Sequence, residues 1–466
     1  MKGRNDLSSK SEIQKHQLSY HIVPPQGLLN DPNGLIQYKG IYHVFFQWNQ
    51  HDTVHKNKSW GHVTSKDLVH WEYHAAALEP NDWYDKDGVY SGSAVTLNGK
   101  LYLFYTGNVR GAEGKRESYQ CLAVSEDGFQ FEKKGPLFKH PDSYTGHVRD
   151  PKVWQDKEGT WWMVLGAQKN DLSGDTILYQ STNLMDWEFK GSFMEEKFSL
   201  GYMWECPDVL RFKEKDVFVF SPQGLEAKEK QFQNIYQTGY LTGELSSTGK
   251  FKQDNGEFKE LDRGFEFYAP QTFTDDTGRV ILFGWVGVMY PEVEAAVPTR
   301  KDGWLHALSI PREVTYSNGI LRQQPVVELE KLRQPNPTVI DEAAQQMIAL
   351  SSLQSELLMD WENAPKEFFL QIREDVAIQY SHKTNRFVVS RMNWLTKERE
   401  EREVTLKKGL RNIRLFLESS LIELFINDGE EVFTLRYFTE EESHQLSVST
   451  AEKNEKRNIV VYELSV

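Results

Sequence analysis

The chain has two cysteines in 466 residues, Cys121 and Cys206, and they lie far apart. So few thiols exclude a disulfide-stapled secreted scaffold, and their spacing identifies no disulfide. There is no run of about 18 apolar residues, which excludes a membrane-spanning helix. Met1 to Tyr20 lack an apolar h-region and a small-residue cleavage site, so residues 1–20 read as a polar N-terminal extension and not as a secretory signal. Together these absences predict a reducing, cytoplasmic setting. Positive charge is also short: 54 Lys and Arg stand against 68 Asp and Glu, and the net charge of −14 repels nucleic acid. No Gly-rich phosphate-cradling loop precedes a helix, so no nucleotide cofactor is expected. His62, His70 and His74 share one stretch, but a strand-and-turn context supplies no zinc ligand set, and no metal is expected. The sequon Asn57-Lys58-Ser59 reads as accidental, and the charged runs Glu440 to Glu442 and Lys397 to Glu403 read as solvated faces.

What the chain does have is length for two domains and a heavy load of aromatic residues, 13% of the total with 13 Trp and 20 Tyr. Such a load suits both a strand-rich fold and the stacking of rings on sugars. The informative feature is an internal period. DPNGLIQYKGIYHVFFQ from residue 31, YSGSAVTLNGKLYLFYTG from 90, DPKVWQDKEGTWWMVLG from 150 and APQTFTDDTGRVILFGWVG from 269 each read as a hairpin around a turn glycine. Counting nine residues back from Gly40, Gly99, Gly159 and Gly278 reaches Asp31, Tyr90, Asp150 and Ala269. A fifth copy, ECPDVLRFKEKDVFVFSPQG, has Glu214 in its turn, and nine back from it is Glu205.

A second element echoes the period. Ser65 to Trp71, Ser125 to Phe131 and Ser181 to Trp187 each place an aromatic six residues after a serine, with starts 60 and 56 residues apart. Strand-rich repeats of this length imply blades stacked around an axis, whereas a single large sandwich would show no such period. The expected fold is therefore all-β: a five-bladed β-propeller over residues 21–325, then a linker with a short helix over 326–337. A C-terminal antiparallel β-sandwich over 338–466 follows, with a hairpin at Asn427-Asp428-Gly429. Equivalent positions on successive blades ring one mouth of the central channel. Three of the five carry carboxylates: Asp31, Asp150 and Glu205.

Each acid alone also has a structural reading. Asp31 before Pro32 and Gly34 suits a turn, Arg149-Asp150 suits a local ion pair, and Glu205 beside Cys206 says little by itself. Their shared offset from the repeat turns favours the functional one, since like charges gathered in a cleft are costly unless used. A pair of carboxyls is what glycoside hydrolysis needs, one to protonate the leaving oxygen and one to attack the anomeric carbon or direct water at it.

At this point the chain resembles a known family. NDPNG at 30–34, FFQWN at 45–49, WGH at 60–62, YSGSA at 90–94, RDP at 149–151, EC at 205–206 and YAPQT at 268–272 are similar, in order and spacing, to glycoside hydrolase family 32, the invertases, inulinases and sucrose-6-phosphate hydrolases. The resemblance implies retaining hydrolysis of β-D-fructofuranosides without a cofactor. Asp31 would be the nucleophile, Glu205 the acid/base with a raised pKa, and Asp150 a transition-state stabiliser oriented with Arg149. It further implies a fructose pocket drawing on Asn30, Gln47, Trp60, Tyr90, Ser91, Cys206, Tyr268 and Trp285. Leu28-Leu29 and Gln50 depart from the family pattern and are expected near the pocket rim.

An intracellular setting favours sucrose 6-phosphate over sucrose. Its phosphate would need cations, either Lys56 and Lys58 or Arg110, Lys115 and Arg116. Alternatives are a fructosidase acting on free sucrose or short fructo-oligosaccharides, a fructosyltransferase, a pentosidase and, from another class, a non-catalytic sugar-binding propeller.

Overall fold

A computed structural model describes residues 15–254, 256–340, 345–439, 444–450 and 457–466. The run Glu440 to Glu442 and most of the N-terminal extension lie outside the described residues. Strands dominate, and the helices are one turn or so, such as Pro291–Ala295 and the 3-10 segment Val327–Leu332.

Residues 27–325 form five sheets. Each opens on an inner strand: Gly27–Tyr38, Val89–Leu97, Tyr144–Gln155, Met203–Arg211 and Phe267–Thr274. Each inner strand packs on the next, and the first packs on the last, so the sheets close into a propeller. The short strand Trp304–Leu305 leaves the fifth sheet's stretch of chain and pairs in parallel with Gly27 and Leu28, tying the ring shut.

The serine–aromatic repeat is a capped turn between the outer strands of the first three sheets. Ser125 Oγ accepts from Gly128 N–H at 2.8 Å, and Asp127 Oδ1 accepts from Phe129 and Gln130 N–H, both at 2.8 Å. Ser181 with Asn183, and Ser65 with Asp67, do the same. Short polar side chains replace the missing backbone partners of the turn, which is why serine and Asx recur there.

The remaining strands form two six-stranded antiparallel sheets. Their facing sides bury Leu357, Leu370, Ile378, Phe387, Leu415, Leu424 and Phe433 in one apolar core, a sandwich. Its hairpin Leu421–Ile426/Glu431–Arg436 turns through Asn427, Asp428 and Gly429, all left-handed. A Cβ at Gly429 would lie 1.7 Å from the Gln323 carbonyl oxygen, so only glycine lets this tip dock on the propeller.

A buried polar network joins the two parts. Arg312, fully buried, donates to Glu423 Oε2, Asp262 Oδ2, Gln323 Oε1 and Thr434 Oγ1 at 2.5 to 3.1 Å. His21 is wedged between Glu418 and Glu423, and Leu18 and Tyr20 are buried beside it.

Candidate active site

Every inner strand is interrupted by a register shift at the same point. The shifts fall between Leu29 and Pro32, Tyr90 and Gly92, Arg149 and Lys152, Glu205 and Asp208, and Tyr268 and Gln271. Four of these bulges carry a proline: Pro151, Pro207 and Pro270 are out of register, where the missing N–H is harmless, and Pro32 resumes the pairing opposite Phe46. In the second sheet Gly92 takes that place, and a Cβ there would meet the Phe104 carbonyl oxygen at 1.9 Å. Aligned on this position, the residues before it are Asp31, Ser91, Asp150, Cys206 and Ala269. One step earlier stand Asn30, Tyr90, Arg149, Glu205 and Tyr268. Asp150, Cys206 and Ala269 have positive φ (66°, 47° and 48°), backbone strain of the kind found at functional sites.

This register corrects the ring read from turn glycines. Glu205 is not at the level of Asp31 and Asp150; Cys206 is. The offset of nine slips by one residue in the second and fourth sheets. The second has the same two-residue left-handed turn as the first but lacks the first strand's extra bulge between Asn33 and Ile36. The fourth's turn is one residue shorter than those of the third and fifth.

The bulges open on a pocket of about 370 Å³ at the propeller mouth. Asn30, Asp31, Gln47, Tyr90, Ser91, Arg149, Asp150, Glu205, Tyr268 and Trp285 all line it. Trp60 and Cys206 do not. Trp60 is fully buried behind the pocket, with Nε1–H donating to the Tyr90 carbonyl at 3.1 Å. Cys206 acts through its backbone, whose N–H donates to Asp150 Oδ2 at 3.0 Å, while its buried Sγ lies 4.0 Å from Asp31 Oδ2. Leu28 and Leu29 are fully buried in apolar clusters and Gln50 reaches Glu79, so none of these three is on the rim.

The electrostatics distinguish the three acids. Ser91 Oγ–H donates to Asp31 Oδ2 at 2.7 Å. Burial nevertheless pushes Asp31 above the usual carboxylate range, with Glu205 adding to it. Burial pushes Asp150 up to about 7 against the pull of Arg149, with Glu205 and Asp31 adding to the rise. Glu205 goes the other way, contrary to the expectation of a raised pKa. Burial favours its neutral form, but Arg149 Nη2 at 2.6 Å, Tyr268 O–H at 2.6 Å and Gln223 Nε2 at 2.6 Å hold it below the ordinary glutamate range. These opposed shifts favour a proton on Asp150 over one on Glu205.

Several pocket residues were not foreseen. His55, Glu294, Tyr236 and the apolar Met289 line it, and Gln223 stands behind Glu205. Glu294 Oε1 accepts from His55 Nε2 at 2.9 Å and from His306 Nε2 at 2.8 Å, and both rings lie edge-on to Trp285. These three are the one group of metal-ligand type among the described residues; here their donors converge on a single carboxylate oxygen and brace the Trp285 ring. Lys58 Nζ donates to Asn30 Oδ1, and burial brings its ammonium down to about 7. His62 and His74 instead sit in an aromatic stack with His43 and Phe129, away from the pocket.

Comparison with known proteins identifies the family. The family models for the glycosyl hydrolases family 32 N-terminal domain and for the family 32 C terminal match residues 21–325 and 328–465. The chain is 44% identical over 447 residues to the sucrose-6-phosphate hydrolase of Bacillus subtilis (strain 168), covering 94% of this chain and 92% of that protein. The solved sucrose-6-phosphate hydrolase from Lactobacillus gasseri superimposes with a TM-score of 0.88 at 31% identity, covering 97% of this chain and 94% of that one. A Bombyx mori β-fructofuranosidase, solved as a mutant in complex with sucrose, gives 0.84 at 34% identity over the same shares. No helix among the described residues is long and apolar enough to cross a membrane. With both family models matched along nearly its whole length, the chain belongs to glycoside hydrolase family 32 and is a glycoside hydrolase.

Proposed function

We propose that the enzyme hydrolyses the fructofuranosidic bond of sucrose 6-phosphate, and of sucrose, with retention and in the cytoplasm. The observation that carries this reading is the convergence of Asp31, Asp150 and Glu205 on one pocket, with the Arg149 guanidinium between Asp150 and Glu205. Asp31 attacks C2 of the fructosyl unit as the bond to the glycosidic oxygen breaks, and Glu205 gives that oxygen its proton. Water then attacks C2 of the fructosyl ester, losing its proton to Glu205 and releasing Asp31 as the carboxylate.

For Glu205 to act as an acid, a proton favoured on Asp150 has to change place. Arg149 supports such an exchange, since it lies 2.6 Å from Glu205 and 4.0 Å from Asp150. Fructosyl hydroxyls donating to Asp150 favour its ionised form. A guanidinium drawn toward that charge releases Glu205, whose burial then favours the protonated carboxyl. Both cysteines are free and buried, in keeping with a reducing compartment.

The test is kcat/KM for the two sugars side by side, with Asp31→Ala as the blank and the anomer first released followed by NMR. Hydrolysis of both sugars with β-fructofuranose as first product is expected. Rates equal to the blank on both would remove the proposal.

A further inference from the structure

The two sets of cations flanking the pocket have different roles. Lys58 is committed to the interior, donating to Asn30 and lying 3.3 Å from His55 Nδ1. Arg110, Lys115 and Arg116 instead lie where the strands Lys100–Arg110 and Arg116–Ser125 turn into each other. Among the described residues none of the three forms an ion pair, in a chain with a large excess of acid. Of the carboxylates beside them, Asp87 Oδ2 accepts from the Arg110 backbone N–H at 2.6 Å and Glu117 pairs with Lys139 at 2.8 Å, while Glu113, exposed in the turn between the strands, pairs with none of the three.

These cations line a groove in which Asp142 is the one acidic lining residue, and Arg116 lines both the groove and the active-site pocket. The two spaces therefore meet at Arg116. From Glu205 a chain of contacts leads outward into the groove. Arg149 Nη2 donates to Glu205 Oε1 at 2.6 Å; Arg149 Nη1 and Arg116 Nη1 both donate to His147 Nδ1, at 3.0 and 3.3 Å. Burial and the two guanidiniums bring His147 down to about 4, so it stays neutral and serves both as acceptor. The Arg116 guanidinium also lies over the Tyr90 ring, 5.7 Å from its centre. Arg116 is thus held at the threshold between the proposed proton donor and the two more exposed cations.

We propose that Arg110, Lys115 and Arg116 form the receptor for a phosphate monoester carried by the leaving hexose. This rests on the reading of Glu205 as the residue that protonates the glycosidic oxygen, because the leaving sugar must then extend to Glu205's side of the pocket. A phosphate monoester carries about −1.5 to −2 charges near neutrality. Two guanidiniums present forked donors to such a group and a lysine adds a point charge.

The experiment is Arg110→Ala/Lys115→Ala, assayed on sucrose 6-phosphate and on sucrose, with glucose 6-phosphate, glucose and inorganic phosphate as inhibitors of sucrose hydrolysis at fixed ionic strength. We expect kcat/KM for the phosphorylated sugar to fall about thirtyfold to a hundredfold while that for sucrose changes less than twofold. Glucose 6-phosphate should inhibit the wild type well below the concentration needed for glucose or phosphate alone, and the double variant should lose that advantage. An equal fall on both sugars, no fall on either, or inorganic phosphate inhibiting as well as glucose 6-phosphate would each overturn the receptor. Should the wild type hydrolyse neither sugar, the proposed function fails together with it. Normal cleavage of sucrose 6-phosphate by the double variant removes the receptor alone.

Discussion

Asp150→Asn tests the electrostatics of the pocket through stability and not through rate. Asp150 sits at about 7 in the folded chain against a usual 3.8. A folded-state value above the unfolded one means that unfolding releases a proton in the window between them. Stability is therefore lost as pH rises from about 4 to 7 and changes no further above 7. Three pKa units at about 1.4 kcal/mol each set a ceiling of about 4 kcal/mol. Glu205, held low by the same arginine, titrates in the opposite sense, so a gain of about 1–3 kcal/mol is the expectation for a neutral side chain at this position. Asparagine is the substitution of choice on structural grounds. It tolerates the left-handed φ of 66°, and its amide oxygen accepts the Cys206 N–H in place of Oδ2. Urea midpoints of wild type and variant, measured from pH 4 to 8.5, should separate progressively up to pH 7 and run parallel beyond it. Activity should meanwhile fall by about 10²–10³. A gap independent of pH, or a variant less stable than wild type at pH 8, would refute the assignment of the proton to Asp150.

Tyr268→Phe removes the hydroxyl that donates to Glu205 Oε2 at 2.6 Å and so destabilises the ionised acid. A hydrogen bond to a charge is worth about 1.5–3 kcal/mol, so the alkaline limb of the kcat/KM profile should move up, by at most about one to two pH units; a downward shift would contradict Glu205 as the proton donor. Arg312→Met leaves Glu423 and Asp262 buried without their cation where the sandwich meets the propeller. It should cost about 3–5 kcal/mol in urea denaturation, and a loss under about 1 kcal/mol would show that water or His21 makes good the charge.

The repeat made much of the site legible, because hairpins with glycine turns and alternating apolar residues announce blades without any tertiary information. Asp31 and Asp150 were found that way at the right level. Glu205 was found for an imperfect reason: the distance to the turn varies with turn length and with extra bulges, whereas the proline after Asp31, Asp150, Cys206 and Ala269 marks the bulge itself. Reading from proline would have put Glu205 beside Arg149 and Tyr268, its hydrogen-bond partners. The same step would have shown why its pKa is held down. His55 and Glu294 could not have been read from the period, since His55 lies between blade strands and Glu294 in a one-turn helix inserted between Val286 and Arg312. Both have no counterpart in the other sheets. Leu28 and Leu29 misled for a related reason: they precede the bulge, where the strand still alternates and is buried.

The bulge also explains how so small a mouth holds so much polar chemistry. In a regular strand consecutive side chains face opposite sides, so five inner strands would offer one residue each to the pocket. Breaking the alternation lets a strand present two. Asn30 with Asp31, Tyr90 with Ser91 and Arg149 with Asp150 all line the cavity as adjacent pairs. First members then meet across strands, as Arg149 meets Glu205, and second members meet likewise, as Ser91 meets Asp31 and the Cys206 N–H meets Asp150. Two concentric layers of contacts result, one placing a cation against the acid and the other placing buried donors under the remaining carboxylates. On the fifth strand Tyr268 completes the first layer by donating to Glu205, while Ala269 closes the second with no polar side chain. Three acids are thereby kept at one mouth with proton affinities shifted to different extents by neighbours that differ at each step around the ring.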